Sequence, residues 1–145
     1  MLRSVNGDDF MTEKPVTFKP DTDLFHAIHI LLKHKISGAT VLDDNRNVVG
    51  ILSEMDCLKA ILDSTYHGTS VGGTVGQYMS KAVDVLPAHM DIVDVAKFLI
   101  DNNRRRVPIV EDDGSFVGQI SARSILKAIK DFDVPRIKNE KDFYN

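Results

Sequence analysis

The chain has no tryptophan, and only one of its 145 residues, Cys57, is a cysteine. One cysteine cannot close an intrachain disulfide, so core packing must hold the fold, and the cytoplasm is the expected setting. Long apolar runs are missing as well. Lys, Asp or His interrupts each stretch well before membrane-spanning length, which excludes a transmembrane helix. The opening segment MLRSVNGDDF lacks the apolar core of a signal peptide. Basic charge is not in excess: 18 Lys and Arg stand against 21 Asp and Glu, a net charge of −3, so no global field draws the chain to nucleic acid. No nucleophile, base and acid form a recognisable set, so catalysis is not expected. With 43% hydrophobic and 27% charged residues, the chain can bury a core rather than remain disordered.

What the sequence does have is a repeat. Leu58-Lys59-Ala60-Ile61 recurs as Leu126-Lys127-Ala128-Ile129, 68 positions on. At the same offset Phe10-Met11-Thr12 falls on Tyr78-Met79-Ser80, Asp23 on Asp91, Leu31 on Leu99, Val49-Gly50 on Val117-Gly118, and Ser53 on Ser121. The register slips by one residue around Pro20 and Pro87, then recovers. The chain is two copies of one unit, each too small to stand alone.

Both copies read as β-α-β-β-α, a mixed α/β (α+β) architecture. Val16 and Phe18 before Pro20, and Val83 and Val85 before Pro87, alternate as short strands do. Leu24, Ala27, Ile28, Leu31 and Leu32 recur at helical spacing, as do Ile92, Val95, Ala96, Leu99 and Ile100. Asp21, Thr22 and Asp23 offer caps for the first of these helices, Asp91 and Asp94 for the second. Buried strands at 39–42 and 107–110 lead through polar turns at 43–47 and 111–115 to strands at 48–52 and 116–120. Closing helices follow near 54–63 and 122–132. The glycine-bearing stretch 64–76 reads as a linker. The expected division is 1–66, 67–132 and a polar tail at 133–145.

These residues carry a family resemblance. The tandem unit, the run Gly50-Ile51-Leu52-Ser53-Glu54-Met55-Asp56 after the third strand, the Met-Thr and Met-Ser that open the copies, and Arg106-Val107-Pro108-Ile109-Val110 together resemble a CBS domain pair. The likeness spans residues 8–132 and implies a stand-alone pair, with two repeats packed about a pseudo-twofold axis. It implies two clefts between the repeats, where adenine nucleotides or related adenosyl ligands bind and regulate a partner protein. It also implies a disc-like homodimer. The ligand would be AMP, ADP, ATP or S-adenosylmethionine, none of them an obligatory cofactor.

By that resemblance Asp56 holds the ribose, since a carboxylate accepts from both hydroxyls of a cis-diol, and Ser53 approaches the phosphate at a helix N-terminus. Arg104, Arg105 and Arg106 precede Val107-Pro108, a basic residue just before this step faces phosphate in the family, and Arg123 points across the pair toward the same phosphates. Val83 and Ile51 flank the adenine. In the second copy Ser124 stands where Asp56 does, and Ile36, Ser37 and Gly38 replace the arginines, so the two clefts are unequal. Structural readings stand beside each of these. Ser53 and Asp56 are spaced as a helix cap, three consecutive arginines suit a solvated helix end, and Ile51 and Val83 suit a core. A structural or dimerisation module with a degenerate site is the alternative function. Apolar residues on the closing helices (Leu58, Ile61, Leu62, Leu126, Ile129) point to a homodimer. His26 and His29 lie one helical turn apart without a further ligand, so no metal site is expected.

Overall fold

The computed structural model describes residues 11–68, 72–81 and 83–132. The expected tail at 133–145 and the start of the first copy lie outside the described residues. The elements are β1 (Thr12–Glu13), β2 (Thr17–Phe18), α1 (Leu24–His34), β3 (Gly38–Leu42), β4 (Val48–Ser53), α2 (Glu54–His67), α3 (Val75–Tyr78), β5 (Leu86–Pro87), α4 (Ile92–Asp101), β6 (Arg106–Val110), β7 (Phe116–Ser121) and α5 (Ala122–Phe132). Asp23 and Asp91 cap α1 and α4, their carboxylates accepting from the His26 and Val93 N–H groups.

Two sheets form, ordered β2-β3-β4 and β1-β7-β6-β5. In each, a short opening strand runs parallel to a buried strand, which then pairs antiparallel with the next through a polar turn. The turns need a left-handed residue at matching positions. The second copy uses Gly114 (φ 89°), while the first uses Arg46 (φ 63°), the costlier choice. Two cores result, one around Leu24, Ala27, Val41 and Leu52, the other around Ile92, Val95, Ile109 and Ile120.

The copies exchange their opening segments. Strand β1 pairs not with its own sheet but with β7, Thr12 opposite Gln119. In the same way Ser80 crosses back to bridge Ile51 on β4, with Ser80 N–H donating to the Ile51 carbonyl at 2.9 Å and Ile51 N–H to the Ser80 carbonyl at 3.0 Å. Met11 packs on the second core, and Val75, Tyr78 and Met79 on the first. Gly50 permits this approach: a Cβ there would lie 2.9 Å from the Ser80 carbonyl oxygen and 2.5 Å from Met79 Sδ. Asn47 and Ser115, equivalent positions in the two copies, bridge each other, which puts the pseudo-twofold axis between them.

Four expectations need correction. The strand opening the second copy is Leu86–Pro87, not 83–85. Leu86 pairs opposite Ile109 as Phe18 pairs opposite Val41, so the structural offset is constant and the two prolines are what fall out of register. Val85 is exposed, and Leu86 supplies the buried side chain. Helix α2 continues through Ser64 to His67, because Ser64 and Thr65 return hydrogen bonds to the Ala60 and Ile61 carbonyls and Gly68 caps the end. The expected linker therefore loses its first residues to α2 and, at its far end, Val75 and Gly76 to α3, which a Thr74–Gln77 capping box begins. Finally, Leu32 and Ile100 share the helical spacing but face outward, 69% and 79% exposed.

Candidate ligand-binding cleft

Strand β4 ends at Ser53, which caps α2. The Asp56 N–H donates to Ser53 Oγ at 3.1 Å and the Ser53 N–H donates to Asp56 Oδ2 at 2.9 Å, a reciprocal capping box. The capping reading of this pair therefore holds. It uses one carboxylate oxygen, and Oδ1 has no hydrogen bond among the described residues. Asp56 is 7% exposed, and it lines a cavity of about 190 Å³ between the two copies.

The first copy gives this cavity Ile51, Ser53 and Asp56; the second gives Ser80, Val83, Asp84, Phe98, Arg104, Arg106, Val107 and Pro108. Six of the eight residues expected from the sequence thus converge on one wall set. Arg105 and Arg123 are exposed and do not line it. Arg105 lies at the end of the β6–β7 ladder where α5 begins, since the N–H of Ala122, the residue before Arg123, donates to the Arg105 carbonyl at 2.9 Å.

The two arginines in the walls are held differently. The Arg106 guanidinium crosses to the first copy, donating to the Gly38 carbonyl at 2.6 Å and to Ser37 Oγ. Burial lowers its pKa from the ordinary value, the Arg105 charge adds to this, and Glu54 opposes it. Arg104 is more exposed, and its Nη2 lies 3.7 Å from Asp84 Oδ2. A slot with apolar sides (Ile51, Val83, Phe98, Pro108), the carboxylates of Asp56 and Asp84, the hydroxyls of Ser53 and Ser80 and two guanidinium groups suits a flat polar ring joined to a diol and an anion.

Ser80, Asp84, Phe98, Val107 and Pro108 also line the cleft, although the sequence does not mark them as site residues. Asp84 directly follows Val83, the one local signal available. Phe98 lies off the apolar stripe of α4, and Ser80 enters through the exchanged segment.

In the second copy Gln119, Ser121 and Ser124 occupy the positions of Ile51, Ser53 and Asp56. Ser121 and Ser124 reproduce the cap: each backbone N–H donates to the other's Oγ at 3.0 Å, and Ser124 Oγ donates to the Ser121 carbonyl at 2.9 Å. That hydroxyl is already used as both donor and acceptor. Gln119 Oε1 is buried without a hydrogen-bond partner among the described residues. Among the described residues no group of three metal-ligating side chains exists, and no helix is long and apolar enough to cross a membrane. Burial raises the Cys57 thiol pKa, with Asp56 and Glu54 adding to it, so the thiol stays protonated and unreactive at neutral pH.

The family model described as CBS domain matches the chain twice, over residues 7–63 and 75–131. The chain belongs to the CBS domain family. CBSX2 of Arabidopsis thaliana, solved in complex with AMP, is a similar CBS structure: TM-score 0.78 and 28% identity, covering 89% of this chain and 98% of that one. CBSX1, a chloroplastic CBS domain-containing protein of the same plant, is 28% identical over a gapped alignment of 146 positions that covers 83% of this chain and 62% of that protein. The inosine-5'-monophosphate dehydrogenase of Aquifex aeolicus is 32% identical over 121 residues, 24% of that enzyme. That match runs through its CBS domains, and this CBS pair is a non-catalytic module.

Proposed function

We propose that this CBS pair is a regulatory module that binds an adenosyl ligand, AMP, ADP, ATP or S-adenosylmethionine, in the cleft at Asp56. Binding there transmits a change of shape to a partner protein, and a cytoplasmic setting belongs to the same proposal. The observation that carries it is the convergence of Ser53 and Asp56 from one copy with Val83, Arg104 and Arg106 from the other. A ligand touching both copies prefers one arrangement of the pair, which is the condition for transmitting a signal. The relative solved with AMP supports this choice of ligand class. Calorimetry with the four ligands tests it. Binding of at least one is expected, and silence from all four leaves a structural or dimerisation module in its place.

Arg105 and Arg123 enter the proposal as a basic rim that meets phosphates extending beyond the cleft. Arg123→Ala should weaken ATP and AMP several-fold and leave adenosine unchanged, with the difference shrinking as salt rises. An equal loss for adenosine would show that Arg123 acts through packing.

The module is proposed to be a homodimer. Leu32, Met55, Leu58 and Leu62 are exposed on α1 and α2 beside an apolar groove lined by Ile28, Leu31, Cys57 and Ile61. Light scattering should give twice the chain mass, and Leu58→Asp should give one chain mass. A wild-type monomer at high concentration would reject the dimer.

A further inference from the structure

Asp84 stands in the cleft wall, yet the fold has no need of an acid there. The constant structural offset places it opposite Val16 of the first copy, an apolar, half-buried residue. Its side chain is about half exposed, and its one ionic contact among the described residues is Arg104, at 3.7 Å. The charges lining the cleft then balance, with Asp56 and Asp84 against Arg104 and Arg106. Neither cation is idle: Arg106 donates to Gly38 and Ser37, and Arg104 faces Asp84. An incoming anion must therefore compete with a carboxylate for Arg104, and each added phosphate brings more negative charge toward Asp84.

We infer that Asp84 is a specificity residue that limits the negative charge the cleft accepts, favouring nucleosides with at most one phosphate over triphosphates. The inference rests on the adenosyl-binding reading of the same cleft. Like charges about 6 Å apart in a partly solvated site repel enough to change affinity by about tenfold.

The test is calorimetry with adenosine, AMP and ATP, each with chelator present to exclude magnesium, on the wild type and Asp84→Asn. The substitution keeps the shape of an exposed side chain, so folding is not at stake. The wild type should bind AMP more tightly than ATP. In D84N the gap should narrow about tenfold through tighter ATP binding, with adenosine unmoved. An unchanged gap in D84N, or wild-type preference for ATP, overturns the role of Asp84 alone. Failure of the wild type to bind any of the three overturns the adenosyl reading itself, and this inference with it.

Discussion

Asp56→Ala should abolish tight binding, with adenosine and AMP losing affinity alike. The reason is the Oδ1 of a nearly buried carboxylate, without a hydrogen bond among the described residues and so available to the diol of a ribose while Oδ2 serves the helix cap. A charge-assisted hydrogen bond contributes about 1.5–3 kcal/mol, and losing it weakens binding roughly ten- to hundredfold. The same substitution removes half of the capping box and should lower stability by about 0.5–2 kcal/mol. Ser53→Ala separates the two effects. It breaks the cap while keeping the carboxylate, so a similar drop in melting temperature should come with near-normal adenosine affinity. Stoichiometry belongs to the same expectation. One ligand should bind tightly per chain, because the hydroxyl of Ser124, the residue equivalent to Asp56, is already committed at both donor and acceptor. Two equal sites per chain, or wild-type affinity in Asp56→Ala, would refute the assignment.

Arg106→Ala should have the second large effect, and it should appear in two measurements. The guanidinium ties β6 of one copy to Gly38 and Ser37 of the other. Its removal should lower the melting temperature of the unliganded protein, by an amount corresponding to about 1.5–3 kcal/mol for a charged hydrogen bond. It should also weaken AMP by ten- to hundredfold, and weaken it more than adenosine, since only AMP offers phosphate. Arg106→Lys keeps the charge but not the planar fork, so it should restore part of the AMP affinity and little of the stability. Equal losses for AMP and adenosine would leave Arg106 as a tie between the copies and nothing more.

The repeat made much of this fold legible. Two copies at one offset reinforce each other, so the helices at Leu24 and Ile92 and the paired strands after them could be read from spacing. Local pattern fails where contacts are distant. Nothing around Thr12 says that it will pair with Gln119, and nothing around Ser80 announces Ile51. The alternation of Val83 and Val85 pointed to the wrong strand, because the contact with Ile109 selects Leu86. At the site, the motif around Asp56 was visible because the cap and the proposed ligand contact use the same residues. The grip of Arg106 on Gly38 was not, since it joins positions from different copies. Asp84 carries no such mark, because an exposed acid in a loop looks like any other.

The exchanged opening segments bear on how such a pair comes to exist. A single copy would present the bare edge of β4 or β7 and, ahead of its own first strand, a segment shaped to fill an identical edge. Two such copies satisfy each other symmetrically, as the subunits of an isologous dimer do, with the axis where Asn47 meets Ser115. Gene duplication with a connecting peptide turns that dimer into one chain and frees the halves to diverge. One half keeps an aspartate at the helix cap and the other a serine; one turn keeps glycine and the other tolerates arginine. Covalent joining thus allows what identical subunits never can, a twofold assembly whose two halves are chemically different.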